Sequence, residues 1–176
     1  MKLAHLSRRF FGTLRLTAPH ADDVEWAKSV LGPEGFALWQ RQPNHDRRHA
    51  VAVARGVQAQ LAGTPFADDP LWISCALLHD IGKLDARLGV YGRVVATMAG
   101  AAAGRDMADA WSERSGFTRR VGLYLRHPEI GADRIRLVQA PEEAARWAAA
   151  HHTSPKPDDL GIPDVVVVAL DTCDND

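Results

Sequence analysis

The side chains able to do chemistry fall in a spaced series: His49, the pair His79 and Asp80, His127, the pair His151 and His152, and Asp171. Imidazole and carboxylate are ligands that Zn, Fe, Mn and related divalent ions accept, and a carboxylate has two oxygens with which to bridge two ions. Each residue alone has an ordinary explanation. A lone histidine on an apolar face is more often a hydrogen-bonded core residue, and a lone aspartate near a helix end is more often a cap or an ion-pair partner. The combination reads differently. Burying two acids together with the histidines costs several kcal/mol for each group left unpaired, and no matching set of buried cations is visible in the sequence. Divalent metal ions would satisfy the whole set at once.

Inward placement of these residues follows from the elements that carry them. Ala50, Val53, Ala54, Val57 and Leu61 form an apolar stripe at helical spacing, and His49 precedes Val53 and Val57 by one and two turns, so it points inward or to the border of that face. Leu71 to Asp80 (LWISCALLHD) is apolar nearly all round, which marks a central buried helix with His79 and Asp80 at its inner end. His127 closes a helix containing Leu123 and Tyr124, and Pro128 turns the chain there. His151 and His152 end the alanine-rich helix that bears Trp147. Asp171 follows Val167 and Val168 by four and three residues, which places it on the face those valines would bury.

Breakers and periodicity predict a succession of helices over 22–31, 33–40, 44–62, 69–80, 90–99, 106–114, 118–127, 129–139, 141–151 and 163–174. Pro33, Pro141 and Pro163 fall where a first helical turn tolerates proline. Val165 to Val168 is β-branched and would be a strand on propensity alone, but no partner strand exists, so a buried helix is expected. The fold class is therefore all-α, a compact helical bundle. Residues 1–43 form an N-terminal helical extension rich in Trp and Phe, and 44–176 form the domain that carries the site. The glycine- and alanine-rich stretch from Gly89 to Gly116 admits either a close-packed helix pair or a mobile flap.

Composition bounds the partners. A chain of 176 residues suits one domain, and 46% hydrophobic with 24% charged residues is ordinary for a soluble globular protein. A net charge of -1 gives no global pull on nucleic acid, so a polyanion would have to be held locally. No stretch approaches the roughly 20 apolar residues that span a bilayer. Cys75 and Cys173 lack CxxC spacing and are expected to be free thiols of a cytoplasmic protein. Ser7 to Gly12 (SRRFFG) resembles a twin-arginine export signal, but Arg15 interrupts the apolar run that should follow, so a basic surface arm is the expectation. The aromatic extension also leaves room for a homodimer interface.

Leu77 to Lys83 (LLHDIGK) resembles the HD signature of the HD-domain superfamily of metal-dependent phosphohydrolases, and Arg47 to Arg55 (RRHAVAVAR) resembles the segment with its first metal-binding histidine. His127 to Ile135 (HPEIGADRI), the His151 and His152 pair, and Ala169 to Asp174 (ALDTCD) then follow the order of the dinuclear branch typified by HD-GYP phosphodiesterases. The resemblance runs from about Asn44 to the C-terminus. It implies an HD-domain bundle in which His49, His79, Asp80 and Asp171 hold a first metal and Asp80 bridges to a second held by His127 with His151 or His152. It further implies that Lys83 contacts a substrate phosphate, and that His45, one turn before His49, stands where some relatives place an extra acidic ligand. Cyclic di-GMP specificity is not implied, because TSPKPDDLGIP follows the histidine pair where the GYP element would stand.

The activity so implied is hydrolysis of a phosphate ester or anhydride in a small phosphorylated compound such as a nucleotide. Asp80 and Lys83 would be the catalytic residues and two divalent ions, from among Fe, Mn, Zn, Co and Ni, would activate water. Two rivals share the ligands: a mixed-valent diiron oxygenase on the same fold, and a metal-binding signalling module without turnover.

Overall fold

The structure, a computed structural model, describes residues 17–103 and 105–175. The arm Ser7 to Gly12 lies outside the described residues. The described chain is helical, with no strand: α1 (Ala21–Gln40), α2 (Asn44–Gln60), α3 (Pro70–Leu78), α4 (Lys83–Ala86), α5 (Val90–Ala103), α6 (Arg105–Ser112), α7 (Gly116–Leu125), α8 (His127–Leu137), α9 (Glu142–Ala150) and α10 (Asp164–Asn175). The expected all-α class is what the chain adopts.

At the centre lies α3. Asp69 caps it by accepting a hydrogen bond from the Leu71 amide, and Pro70 occupies the first turn, where no N–H is required. Every residue from Trp72 to Leu78 is buried, because α1, α2, α9 and α10 pack around it. Trp39, Val57, Leu61, Leu77, Ile135, Trp147 and Leu170 join it in one apolar core. Residues 21–40 contribute Ala27, Leu38 and Trp39 to that core. Their helix breaks at Gly32, whose φ of 66° and extended ψ leave Pro33 to restart the next turn.

Val165 to Val168 is helical within α10, as the lack of a partner strand required. The described residues of the 89–116 stretch form α5, α6 and the connection to α7. Their side of the molecule has a smaller cluster of its own, formed by Ala86, Leu88, Ala96 and Val121 with Trp111, Leu123, Tyr124 and Leu125 packed against it. No helix among the described residues is long and apolar enough to cross a membrane. Cys75 is a buried free thiol.

Where the central helix was expected to run to Asp80, it ends at Leu78, and residues 79–82 form a turn. The cause is close packing against α8. A Cβ at Gly82 would lie 2.0 Å from the His127 carbonyl oxygen and 2.6 Å from the Gly131 nitrogen, so the HDIGK turn and the start of α8 touch backbone to backbone. Only glycine permits that approach, and it brings His79, Asp80 and His127 together. The α7 to α8 break falls at Arg126, one residue before the expected turn, and Pro128 sits in the first turn of α8.

Candidate metal centre

Three histidines are oriented by the same device. Nδ1 of His79, His127 and His151 donates to a carbonyl three residues earlier, on Ala76, Tyr124 and Ala148, each at 2.7 Å. A carbonyl only accepts, so Nδ1 carries the proton and Nε2 is the nitrogen offered to the site. Locking one ring nitrogen to fix the other is how metal-binding histidines are commonly held. Each of these residues sits at a helix terminus, where a carbonyl one turn back is within reach of its own ring.

The Nε2 atoms converge on Asp80, which is 3% exposed. Asp80 Oδ2 lies 3.3 Å from His79 Nε2, while Oδ1 lies 3.4 Å from His127 Nε2 and 3.6 Å from His151 Nε2. On the His79 side, Asp174 Oδ1 stands 3.2 Å from His49 Nε2 and 3.4 Å from His79 Nε2. Two ligand groups result: His49, His79 and Asp174, and Asp80, His127, His151 and His152. Asp80 faces both.

Electrostatics agree with a site built for positive charge. Burial disfavours the imidazolium of His79, yet Asp80 and Asp174 overcome it and push its pKa up to about 10. Burial also works against the charge on Asp174, but His79 and His49 hold its carboxyl far below the usual range. Asp80 is likewise held well below its ordinary value, against burial, by Lys83 and His79. His127 goes the other way: burial pushes it down to about 4, which keeps it neutral and able to donate a lone pair. Burial and the neighbouring His151 and His127 push His152 down to about 2.

The residues fit divalent cations. His79 Nε2, His127 Nε2, His151 Nε2 and Asp80 Oδ1 are all buried without a hydrogen-bond partner, four polar atoms aimed at one region. Leaving four such atoms unsatisfied would be costly. Two histidine and carboxylate groups side by side are the donor set that Zn, Fe, Mn or Co accept, so the described residues could hold metal ions.

Of the residues expected from the sequence, His49, His79, Asp80, His127, His151 and His152 are brought together, with His151 buried and His152 exposed at the edge. Lys83 adjoins them, its ammonium 2.5 Å from Asp80 Oδ2. Asp171 is a correction. Val168 is 62% exposed, and the buried face of α10 is Val166, Ala169, Leu170 and Asp174. The carboxylate in the site is therefore Asp174, one turn after Leu170 and two after Val166. Asp171 faces elsewhere and pairs at 2.6 Å with Lys156. Lys156 also donates to the carbonyls of His151 and Thr153, so the pair ties down the loop that follows the two histidines. His45 belongs to neither ligand group.

Compared with known proteins, the chain matches no family model, no curated protein and no solved structure.

Proposed function

We propose that this protein is a metal-dependent phosphohydrolase that cleaves a phosphate ester or anhydride in a small molecule, such as a nucleotide, at a two-metal site. The observation that carries the reading is the division of Asp80, with one oxygen toward His79 and the other toward His127 and His151, as a bridging carboxylate requires. His49, His79 and Asp174 would hold one ion with Asp80; His127, His151 and His152 would hold the other. When bound, such a pair supplies a lowered water pKa and Lewis-acid polarisation of the phosphoryl group.

The chain's own residues do the rest. The Nδ1 hydrogen bonds to Ala76, Tyr124 and Ala148 keep three imidazoles in the ligating tautomer. Lys83 stays an ammonium: burial opposes its charge, but Asp80 raises its pKa above the ordinary lysine value. Lodged against Asp80, it is placed to offset negative charge on a transferred phosphoryl group. The Tyr124 ring, 5.5 Å from that of His127, borders the site with apolar surface.

The ordered set His49, His79 and Asp80, His127, His151 and His152, now closed by Asp174, keeps the resemblance to the HD-domain superfamily and favours hydrolysis. A near-neutral chain favours a small substrate over a long nucleic acid, and the free thiol of Cys75 suits a cytoplasmic setting. Protein loaded with Mn, Fe, Zn or Co and offered phosphomonoesters, phosphodiesters and nucleotides should release phosphate or a phosphomonoester. Oxygen consumption with no phosphate-bond cleavage would move the assignment to the oxygenase.

A further inference from the structure

Beside the metal centre lies a second polar cluster, formed by His45, Asp46 and Arg93, that the ligand set does not use. His45 is one turn before His49 on α2, its side chain is 9% exposed, and its Nε2 is buried without a hydrogen-bond partner. That nitrogen is 3.4 Å from Asp46 Oδ1, the oxygen that also accepts from Arg93. Arg93 crosses from α5 to grip Asp46 with both terminal nitrogens, each at 2.6 Å, while its Nε donates to the Leu88 carbonyl. This fork leaves one N–H on each terminal nitrogen for another acceptor.

Stability alone does not account for the arrangement. A buried ion pair is seldom better than an apolar contact of the same size, and α5 has apolar residues to spare. It leaves Tyr91 at 77%, Val95 at 49% and Met98 at 69% exposure, yet turns Arg93 inward, where its side chain is only 13% exposed. A helix that hides its arginine and shows its methionine is placing the arginine.

The cluster neighbours the metal centre: His45 is one turn from the ligand His49 on α2, Lys83 pairs with Asp80, and Lys83 and Arg93 each feel the charge of the other's aspartate. The cluster thus offers an imidazole nitrogen without a hydrogen-bond partner and two spare guanidinium N–H groups one turn from the ligand His49, and Lys83 adds an ammonium held at Asp80. Donors of that kind suit the oxygens of a phosphate group.

We propose that His45 and Arg93 contact the phosphate group of the substrate beside the metal pair, and that Asp46 is the positioning residue that holds Arg93 in place. The inference rests on the two-metal phosphohydrolase reading and adds to it the residues that bind the substrate's phosphate. It also gives α5, which the sequence left undetermined, the task of delivering Arg93.

The test uses the full chain loaded with manganese, inorganic phosphate as the probe, calorimetry for affinity and elemental analysis for metal content. His45→Ala and Arg93→Ala should each weaken phosphate binding by about tenfold or more, the size of a lost hydrogen bond to a charged group, with metal content unchanged. Arg93→Ala strands Asp46 and could unfold the chain, so the double variant Asp46→Leu with Arg93→Met, which replaces the pair with apolar groups, serves as the folded counterpart and should show the same loss. Wild-type affinity in His45→Ala or in the double variant overturns the proposal. So does metal-loaded wild type that binds no phosphate, or loss of a metal ion from His45→Ala, which would make His45 a ligand. Wild type that retains no metal brings down the underlying reading as well, whereas two retained ions with phosphate binding indifferent to His45 and Arg93 remove this inference only.

Discussion

Asp174 Oδ1 lies 3.2 Å from His49 Nε2, joining residues 125 positions apart in sequence. The last turn of α10 therefore closes on the first half of α2, and the same oxygen stands 3.4 Å from His79 Nε2. One carboxylate thus serves both histidines of its group.

Two aspartates three residues apart should consequently behave differently. Asp174→Ala is expected to release about one metal ion per chain, since it removes the carboxylate grouped with His49 and His79 and leaves Asp80, on the other side, as that ion's remaining acid. Asp171→Ala should leave metal content intact and cost at most about 1 kcal/mol, the range of a partly exposed ion pair. Elemental analysis and thermal melts of the two variants check this, and equal metal loss from both would contradict the placement of α10.

Gly82→Ala should be among the most damaging single-methyl additions in the chain. Its Cβ would overlap the His127 carbonyl oxygen, a backbone atom unable to rotate aside, so a loss of about 3 kcal/mol or more is expected. Because the displaced element begins with His127, metal affinity should fall along with the melting temperature. Gly63→Ala, with open space around it, should cost only what its positive φ imposes.

The fork between Arg93 and Asp46 carries a pH signature. Burial works against the Asp46 charge, but Arg93, helped by Lys83 and His45, holds its pKa below the ordinary carboxylate value. A carboxyl depressed on folding contributes stability that is complete above its unfolded pKa and is lost as pH falls through the folded one. The stability difference between wild type and the Asp46→Leu, Arg93→Met double variant should accordingly be flat above about pH 5 and decline in favour of the variant below about pH 4. Denaturant unfolding at several pH values measures it; a difference that grows on acidification would contradict the assigned pairing.

How far the sequence reveals this depends on which residue is considered. The central helix is legible from its uninterrupted apolar run, and His79, Asp80, His127 and His151 from their position at helix ends, because helical period and breaker residues fix both. Asp171 is misplaced because four consecutive valines carry no phase: burying Val167 and Val168 or burying Val166 and Leu170 gives equally apolar faces. The exposed Val168 shows which face was chosen, and packing against α2 made that choice. A signal was present in the spacing of Val166, Leu170 and Asp174, four residues apart each time. Nothing local marks the pairing of Asp46 with Arg93, which joins positions 47 residues apart through a long-range fold contact. The Gly82 contact is similarly hidden, since the glycine is needed for a neighbour that arrives only on folding.

The central claim is that Asp80 is shared between two cations. Elemental analysis of freshly purified wild type and of Asp80→Ala tests it most directly. The account predicts about two transition-metal ions per chain in the wild type, near-complete loss in Asp80→Ala, and partial loss in Asp174→Ala or His127→Ala, which touch one group each. A wild type that holds no such ion after metal supplementation, or an Asp80→Ala variant that keeps both, would contradict it.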